Sequence, residues 1–173
     1  MKRVLTSGFY KRHVLEVAPE LLGKYLVRKY RRKEHAYRIT EVEAYDGPDD
    51  KACHAHKGRT KRTEAMFAEG GIWYVYLVYG MYDMLNIVTG EKDYPAAVLI
   101  RGVEEISGPG RLSRDIRISR HFNGKKAAPE SGLWIEDRGE KVTKKDIQAT
   151  PRIGVAYAGE CAKWKYRFLL KAN

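Results

Sequence analysis

Residues 73–88, WYVYLVYGMYDMLNIV, alternate between large apolar positions and smaller or polar ones, meet a glycine at 80, and alternate again. A period of two marks extended chain, and a glycine between two such runs marks a hairpin. The same pattern predicts strands over KYLVRKYRRK and EHAYRITEVEAY around a charged turn near 33–35, and others at about 72–79, 83–89 and 96–104. Shorter strands are predicted at GLWIED, IQATPRIGV and YRFLLK. Helical spacing appears in VLEVAPELLG (14–23), closed by Gly23, in one or two turns at TEAMF, and in SGPGRLSRDIRIS after its Gly-Pro-Gly turn. GPDDKACHAHKGRTKR reads as a loop. Strands dominate and the helices are segregated from them, so the fold class is α+β with a mostly antiparallel sheet.

The hairpin tip is unusual. Asn, Asp or Gly normally serve there for reasons of backbone geometry. Here the tip offers Tyr79, Gly80, Met81 and Tyr82, which leaves large side chains in water. The chain has 173 residues, matching one domain over 1–173. Two cysteines, Cys53 and Cys161, allow no disulfide framework beyond one bridge, and MKRVLTSGFYKRH lacks the apolar core of a signal peptide. No run spans a bilayer, so the expectation is a protein without membrane contact, cytoplasmic or, in a eukaryote, nuclear.

Charge narrows the partner. Lys and Arg number 33 against 22 acidic residues, a net of +11. They cluster at RKYRRK, HKGRTKR and KWKYR, interleaved with Tyr30, Trp164 and Tyr166. Such clusters suit a polyanion, since each phosphate neutralised releases a counterion. A solvated basic surface would look similar but would not call for the aromatics.

In RITEVEAYDG the strand period puts Glu41, Glu43 and Tyr45 on one face, with Val42 and Ala44 on the other. That face is either solvated or the lining of a polar cleft. CHAHKGR brings Cys53, His54, His56 and Arg59 together in sequence. It lacks CxxC, HExxH and a second Cys/His cluster, so no metal site is expected. Cys53 as a nucleophile has no better support. SGPGRL lacks the Walker pattern and reads as a loop entering a helix.

Taken together, ITEVEAYDGPDDKACHAHKGR, MF at 66–67, YVYLVYGMYDMLNI, VLIRGVE, SGPGRL and RIGVAYAGE resemble, in this order, the alkyladenine (3-methyladenine) DNA glycosylases. The likeness runs from about Leu5 to Phe168. It implies one compact domain around a curved antiparallel sheet, with a protruding hairpin that enters the minor groove. It implies base flipping, with Tyr79 filling the gap and Met81 beside it. The resemblance assigns Tyr45, Tyr76, His54 and Ala52 to the base pocket, and Asn86 to refusing the 2-amino group of guanine. It assigns water activation to Glu43 with Arg101 as partner, and phosphate contacts to Arg59 and Arg62. It implies monofunctional excision of alkylated or deaminated purines from duplex DNA in base excision repair, by a monomer needing no cofactor, metal or protein partner.

Tyr76 and Asn86 share a face if they lie opposite each other, which predicts a loop centred on Met81; a two-residue Gly80–Met81 turn would pair Asn86 with Val75 instead. Alternation also predicts that Tyr76 and Tyr79 point to opposite faces of one strand. The chain departs from the resemblance at TKRTE, where Thr63 replaces an asparagine, and at SRDIRISR, which is more charged. Two rivals remain: a nucleic-acid-binding module without chemistry, and a metal-dependent nuclease using CHAH and the acidic strand.

Overall fold

The computed structural model describes residues 2–171. The strands are β1 (Arg3–Val4), β2 (Tyr25–Tyr30), β3 (Lys33–Asp46), β4 (Trp73–Val78), β5 (Tyr82–Val88), β6 (Ala96–Val103), β7 (Ile106–Ser107), β8 (Leu133–Asp137), β9 (Ile147–Thr150) and β10 (Arg167–Leu170). They form one antiparallel sheet with main order β1-β8-β2-β3-β6-β5-β4; β10 adds to β3 and β9, and β7 adds to β6. The helices are α1 (Ser7–Tyr10), α2 (Val14–Leu21) and α3 (Pro109–Asp115), with several 3-10 turns in the loops. The fold is α+β, as the sequence pattern predicts.

α2 buries Val14, Val17, Ala18 and Leu21, the i, i+3, i+4, i+7 stripe of an amphipathic helix. That stripe packs on the main core with Ile39, Val42, Val98 and Ile100 from the centre of the sheet. Gly23 then takes a left-handed φ of 79° and ends the helix. Two smaller clusters, one around Met66 and Tyr74 and one around Val155 and Cys161, both pack against Tyr45.

Four expected boundaries differ. The β2–β3 turn lies at Arg31–Arg32 rather than 33–35, with Tyr30 paired to Lys33. Both turn residues have positive φ, 48° and 65°, as a two-residue hairpin turn requires even without glycine. Only Ile147–Thr150 of IQATPRIGV is strand, because Pro151 cannot donate to the ladder. α3 ends at Asp115, and Arg117, at φ 57°, carries the chain away.

The fourth concerns the aromatic hairpin. Its turn is closed by Met81 N–H donating to the Val78 carbonyl at 3.1 Å, around Tyr79 and Gly80. The loop is therefore centred on Gly80, not Met81, and Asn86 pairs with Tyr74 while Tyr76 pairs with Met84. The shift is two residues, so the facing is preserved: Asn86 stays on the side of Tyr74 and Tyr76. Tyr79 lies beyond the end of β4, at φ 52°, so the turn and not strand alternation sets its direction.

Candidate active site

β3 is the spine of the site. Around Glu43 it is paired on both sides, to Leu99 of β6 and to Arg167 of β10, so this residue sits mid-sheet. The β3–β6 register slips twice, between Ile39 and Glu41 and between Glu41 and Val42. At the second slip Arg101 is the extra residue of β6. A bulge takes a side chain out of regular alternation and re-aims it. Here it carries Arg101 toward both carboxylates.

Glu43 is wholly buried and Glu41 nearly so. The Glu43 carboxylate accepts a hydrogen bond from the Tyr45 hydroxyl at 2.8 Å and one from the Ile153 N–H at 2.8 Å. Arg101 Nε donates to Glu41 at 2.9 Å and lies 3.6 Å from Glu43. Glu41 also accepts from Arg167 Nε at 2.7 Å. So the nearer partner of Arg101 is Glu41, not Glu43. Gly102 keeps this pair close: a Cβ there would lie 3.3 Å from the Glu41 Cβ.

In front of the carboxylates opens a cleft of about 480 Å³. Its wall includes Tyr45, Ala52, His54, Tyr76 and Asn86, with Arg101 deep inside and Arg62 and Tyr79 toward the mouth. Glu43 does not reach the lining. It lies directly behind Tyr45, Arg101 and Ile153, all of which do. The His54 and Tyr76 rings meet edge-on at 4.3 Å, and His54 Nδ1 lies 3.1 Å from the Tyr74 hydroxyl. Burial, then the nearby Arg62 charge, lowers the His54 pKa, so the ring is neutral at pH 7. Burial likewise raises the Tyr45 and Tyr76 hydroxyls, which stay protonated as donors. The Asn86 amide nitrogen donates to the Tyr74 and Met84 carbonyls at 3.1 and 3.2 Å, fixing the side chain.

The hairpin tip leaves the body of the protein. Tyr79 is 86% exposed and Met81 69%. Tyr82 is the tip residue with a packing role: its ring sits where a Cβ on Gly110 would come within 2.8 Å. Arg62 lies 5.5 Å from the Tyr76 ring and donates to the Leu77 carbonyl. Arg59 does not line the cleft; it pairs with Asp93 and Glu64 and stacks on Phe67 at 4.5 Å.

The CHAH segment is not a ligand set. His56 Nδ1 lies 2.7 Å from the Pro48 carbonyl and the Cys53 thiol faces the Pro95 carbonyl at 3.8 Å. Burial pushes the Cys53 thiol up to about 11, which removes it as a thiolate. Among the described residues no three His, Cys, Asp or Glu side chains converge as a metal-binding group.

Sequence reasoning missed several contributors. Tyr74 is two residues from Tyr76 on the same face, a signal that was available. Tyr157, 69% exposed, borders the cleft and donates to the Ala52 carbonyl at 3.3 Å. The larger omission is Arg152 with Asp50, both side chains at 0% exposure. Arg152 donates to both Asp50 oxygens and to the Ala44 and Cys161 carbonyls. Its guanidinium lies 4.8 Å from the Tyr45 ring, behind the cleft. Asp50 in turn accepts from the Asp46 and Ala52 N–H groups. One buried ion pair thus fastens the 47–53 loop, Tyr45 and the segment that presents Ile153 to Glu43.

Comparison with known proteins gives the family. A family model described as methylpurine-DNA glycosylase matches residues 8–108 and 103–173. A protein of Methanocella arvoryzae is 48% identical, covering 95% of this chain and 91% of its own length. One from Legionella pneumophila (strain Lens) is 45% identical, covering 99% and 96%. One from Psychrobacter cryohalolentis is 37% identical, covering 96% and 91%. All three carry provisional 3-methyladenine DNA glycosylase names. The chain belongs to the methylpurine-DNA glycosylase family, and is a DNA glycosylase, a hydrolase of N-glycosidic bonds in DNA.

Proposed function

We propose that the cleft receives an alkylated or deaminated purine flipped from duplex DNA, and that Glu43 activates the water that replaces it. The observation that carries this reading is the buried Glu43 carboxylate, held by Tyr45 and Ile153 directly behind an aromatic cleft. Its two oxygens have more lone pairs than these donors occupy. One accepts the water proton as the water oxygen bonds to C1′. The C1′–N bond breaks, its electrons leave with the purine, and an abasic sugar remains. The carboxylate charge also stabilises the oxocarbenium-like transition state. A cationic base such as 3-methyladenine leaves as a neutral molecule; hypoxanthine and ethenoadenine must gain a proton.

Tyr45 faces Tyr76 and His54 across the flipped base. Aromatic stacking contributes on the order of 1–3 kcal/mol per base, enough to offset much of the few kcal/mol that flipping costs. Tyr79 is the wedge: a large side chain in a turn, with positive φ and almost full exposure, serves no packing purpose. Asn86 is rigid, so it excludes the guanine 2-amino group by size. Among the described residues the cleft lining contains no lysine, which fits chemistry that leaves the strand intact. A binding module without chemistry would leave the buried Glu43 charge only the task of holding Tyr45 and Ile153.

The test is a panel of defined duplexes carrying 3-methyladenine, hypoxanthine, ethenoadenine or 7-methylguanine. Alkali-labile sites should appear in at least one, with no break before alkali and no loss on EDTA treatment. Breaks without alkali, or activity lost to EDTA, would point to a nuclease. Binding with no product on any lesion would leave only the module.

A further inference from the structure

Away from the cleft, four arginines recur every third residue: Arg111, Arg114, Arg117 and Arg120 are all exposed, while Leu112, Ile116 and Ile118 between them are buried. The ridge starts beside the aromatic hairpin, where Gly110 packs on Tyr82. Arg120 reaches Asp83, next to Tyr82 near the hairpin tip, at 3.4 Å. Its other side meets the β2–β3 turn. There Arg117, Arg31 and Arg28 surround one ring, lying 4.6, 5.4 and 5.7 Å from the centre of Tyr30. Arg117 also donates to the Tyr30 hydroxyl at 2.8 Å.

Three guanidinium groups on one ring repel each other, and cation–π attraction at an exposed site offsets only part of that. Carboxylates usually relieve such crowding. Here none does: among the described residues Arg28, Arg31 and Arg117 form no ion pair, unlike Arg111, Arg114 and Arg120. The Arg28 Nε is buried with no hydrogen-bond partner. Arg28 donates only to the neutral Lys29, Gly132 and Arg117 carbonyls, so the cluster keeps its full positive charge.

We propose that the Tyr30 cluster is an outlying phosphate site, where the duplex backbone is gripped after it passes the hairpin and runs along the ridge. This rests on DNA being the substrate and deepens the proposed function by extending its footprint. The seven residues of α3 span about 10 Å at helical rise, or about three base-pair steps at 3.4 Å. A duplex ending nearer the flipped nucleotide would miss the cluster.

The experiment measures affinity of lesion duplexes of about 7 and about 21 base pairs against salt, for wild type, Arg31→Gln, and Arg31→Gln/Arg117→Gln. Each phosphate left without its arginine lowers the slope of log K on log salt by about 0.9. On the long duplex the single variant should lose about one unit of slope and the double about two; on the short duplex all three should coincide. Arg31 makes no ion pair and only stacks on Tyr30, so the single variant reads the site even if the double is less stable. Single-turnover excision at saturating enzyme should not change. Unchanged slopes on the long duplex, equal losses on both lengths, or a fall in saturating excision would each overturn the proposal. Wild type that binds with the predicted slope but excises nothing would sink the proposed function and leave the phosphate site standing.

Discussion

Asp50→Asn isolates the buried strut behind the cleft. The substitution keeps the shape of the side chain and removes its charge, leaving the Arg152 guanidinium at 0% exposure without a counterion. Removing one partner of a buried pair costs about 3–5 kcal/mol, because the other charge stays desolvated. For a chain of 150–250 residues each kcal/mol moves Tm by about 2–4 °C, so the expected drop is roughly 6–20 °C. The Ala44 and Cys161 carbonyls still hold Arg152, which favours the lower part of that range. Excision should be read well below the variant's midpoint, so that only folded protein contributes. A loss of more than about tenfold is expected there, since Arg152 backs Tyr45 and precedes Ile153, the two donors to Glu43. A Tm within about 2 °C of wild type would show that the pair contributes little. A large Tm drop with unchanged excision would show that the strut holds the fold but not the site.

Three further outcomes follow from the same geometry. Tyr79→Ala should weaken excision from duplex far more than from single strands, because only a duplex has a stack to open; equal losses would make Tyr79 structural. Asn86→Ser should raise excision of guanine lesions relative to adenine ones by about 10–200-fold, the range for small steric changes in a pocket, and an unchanged lesion ratio would remove Asn86 as the discriminator. His54, lowered by burial, binds fewer protons folded than unfolded as pH falls through about 6.5. Stability should therefore decline from pH 7 toward 5, with part of that decline lost in His54→Gln; identical slopes for the two proteins would mean that His54 is not the group involved.

How much of this was legible in the sequence depends on range. Periodicity located nearly every strand because alternation is a local property of each segment. The hairpin centre lies one residue earlier than expected, at Gly80 and not Met81, which shifts the cross-strand pairing by two and so kept Asn86 on the side of Tyr76. The facing carboxylates were legible, since Glu41 and Glu43 share one strand. Arg101 beside Glu43 came from the resemblance alone, and its closer bond to Glu41 was not legible, because its direction is set by a register slip between strands far apart in sequence. Arg152 and Asp50 stand 102 positions apart, and nothing local marks either as buried. The proposed phosphate cluster joins three segments in the same way. What failed to show was whatever depends on which distant segments meet.

The most direct measurement is single-turnover excision of hypoxanthine from duplex DNA by Glu43→Gln beside Glu41→Gln. Glu43→Gln keeps an acceptor for Tyr45 or Ile153 while losing the charge and the proton acceptor, and should slow excision by at least ~10²–10⁴-fold, the usual value of a general base. Lesion-DNA affinity should hold or tighten, as a negative charge has left the wall directly behind the cleft. Glu41→Gln loosens Arg101 and Arg167 without touching the base, and should cost about tenfold or less. A near-normal rate for Glu43→Gln with an inactive Glu41→Gln would assign the chemistry to the other carboxylate, and full activity in both would place it elsewhere than on β3.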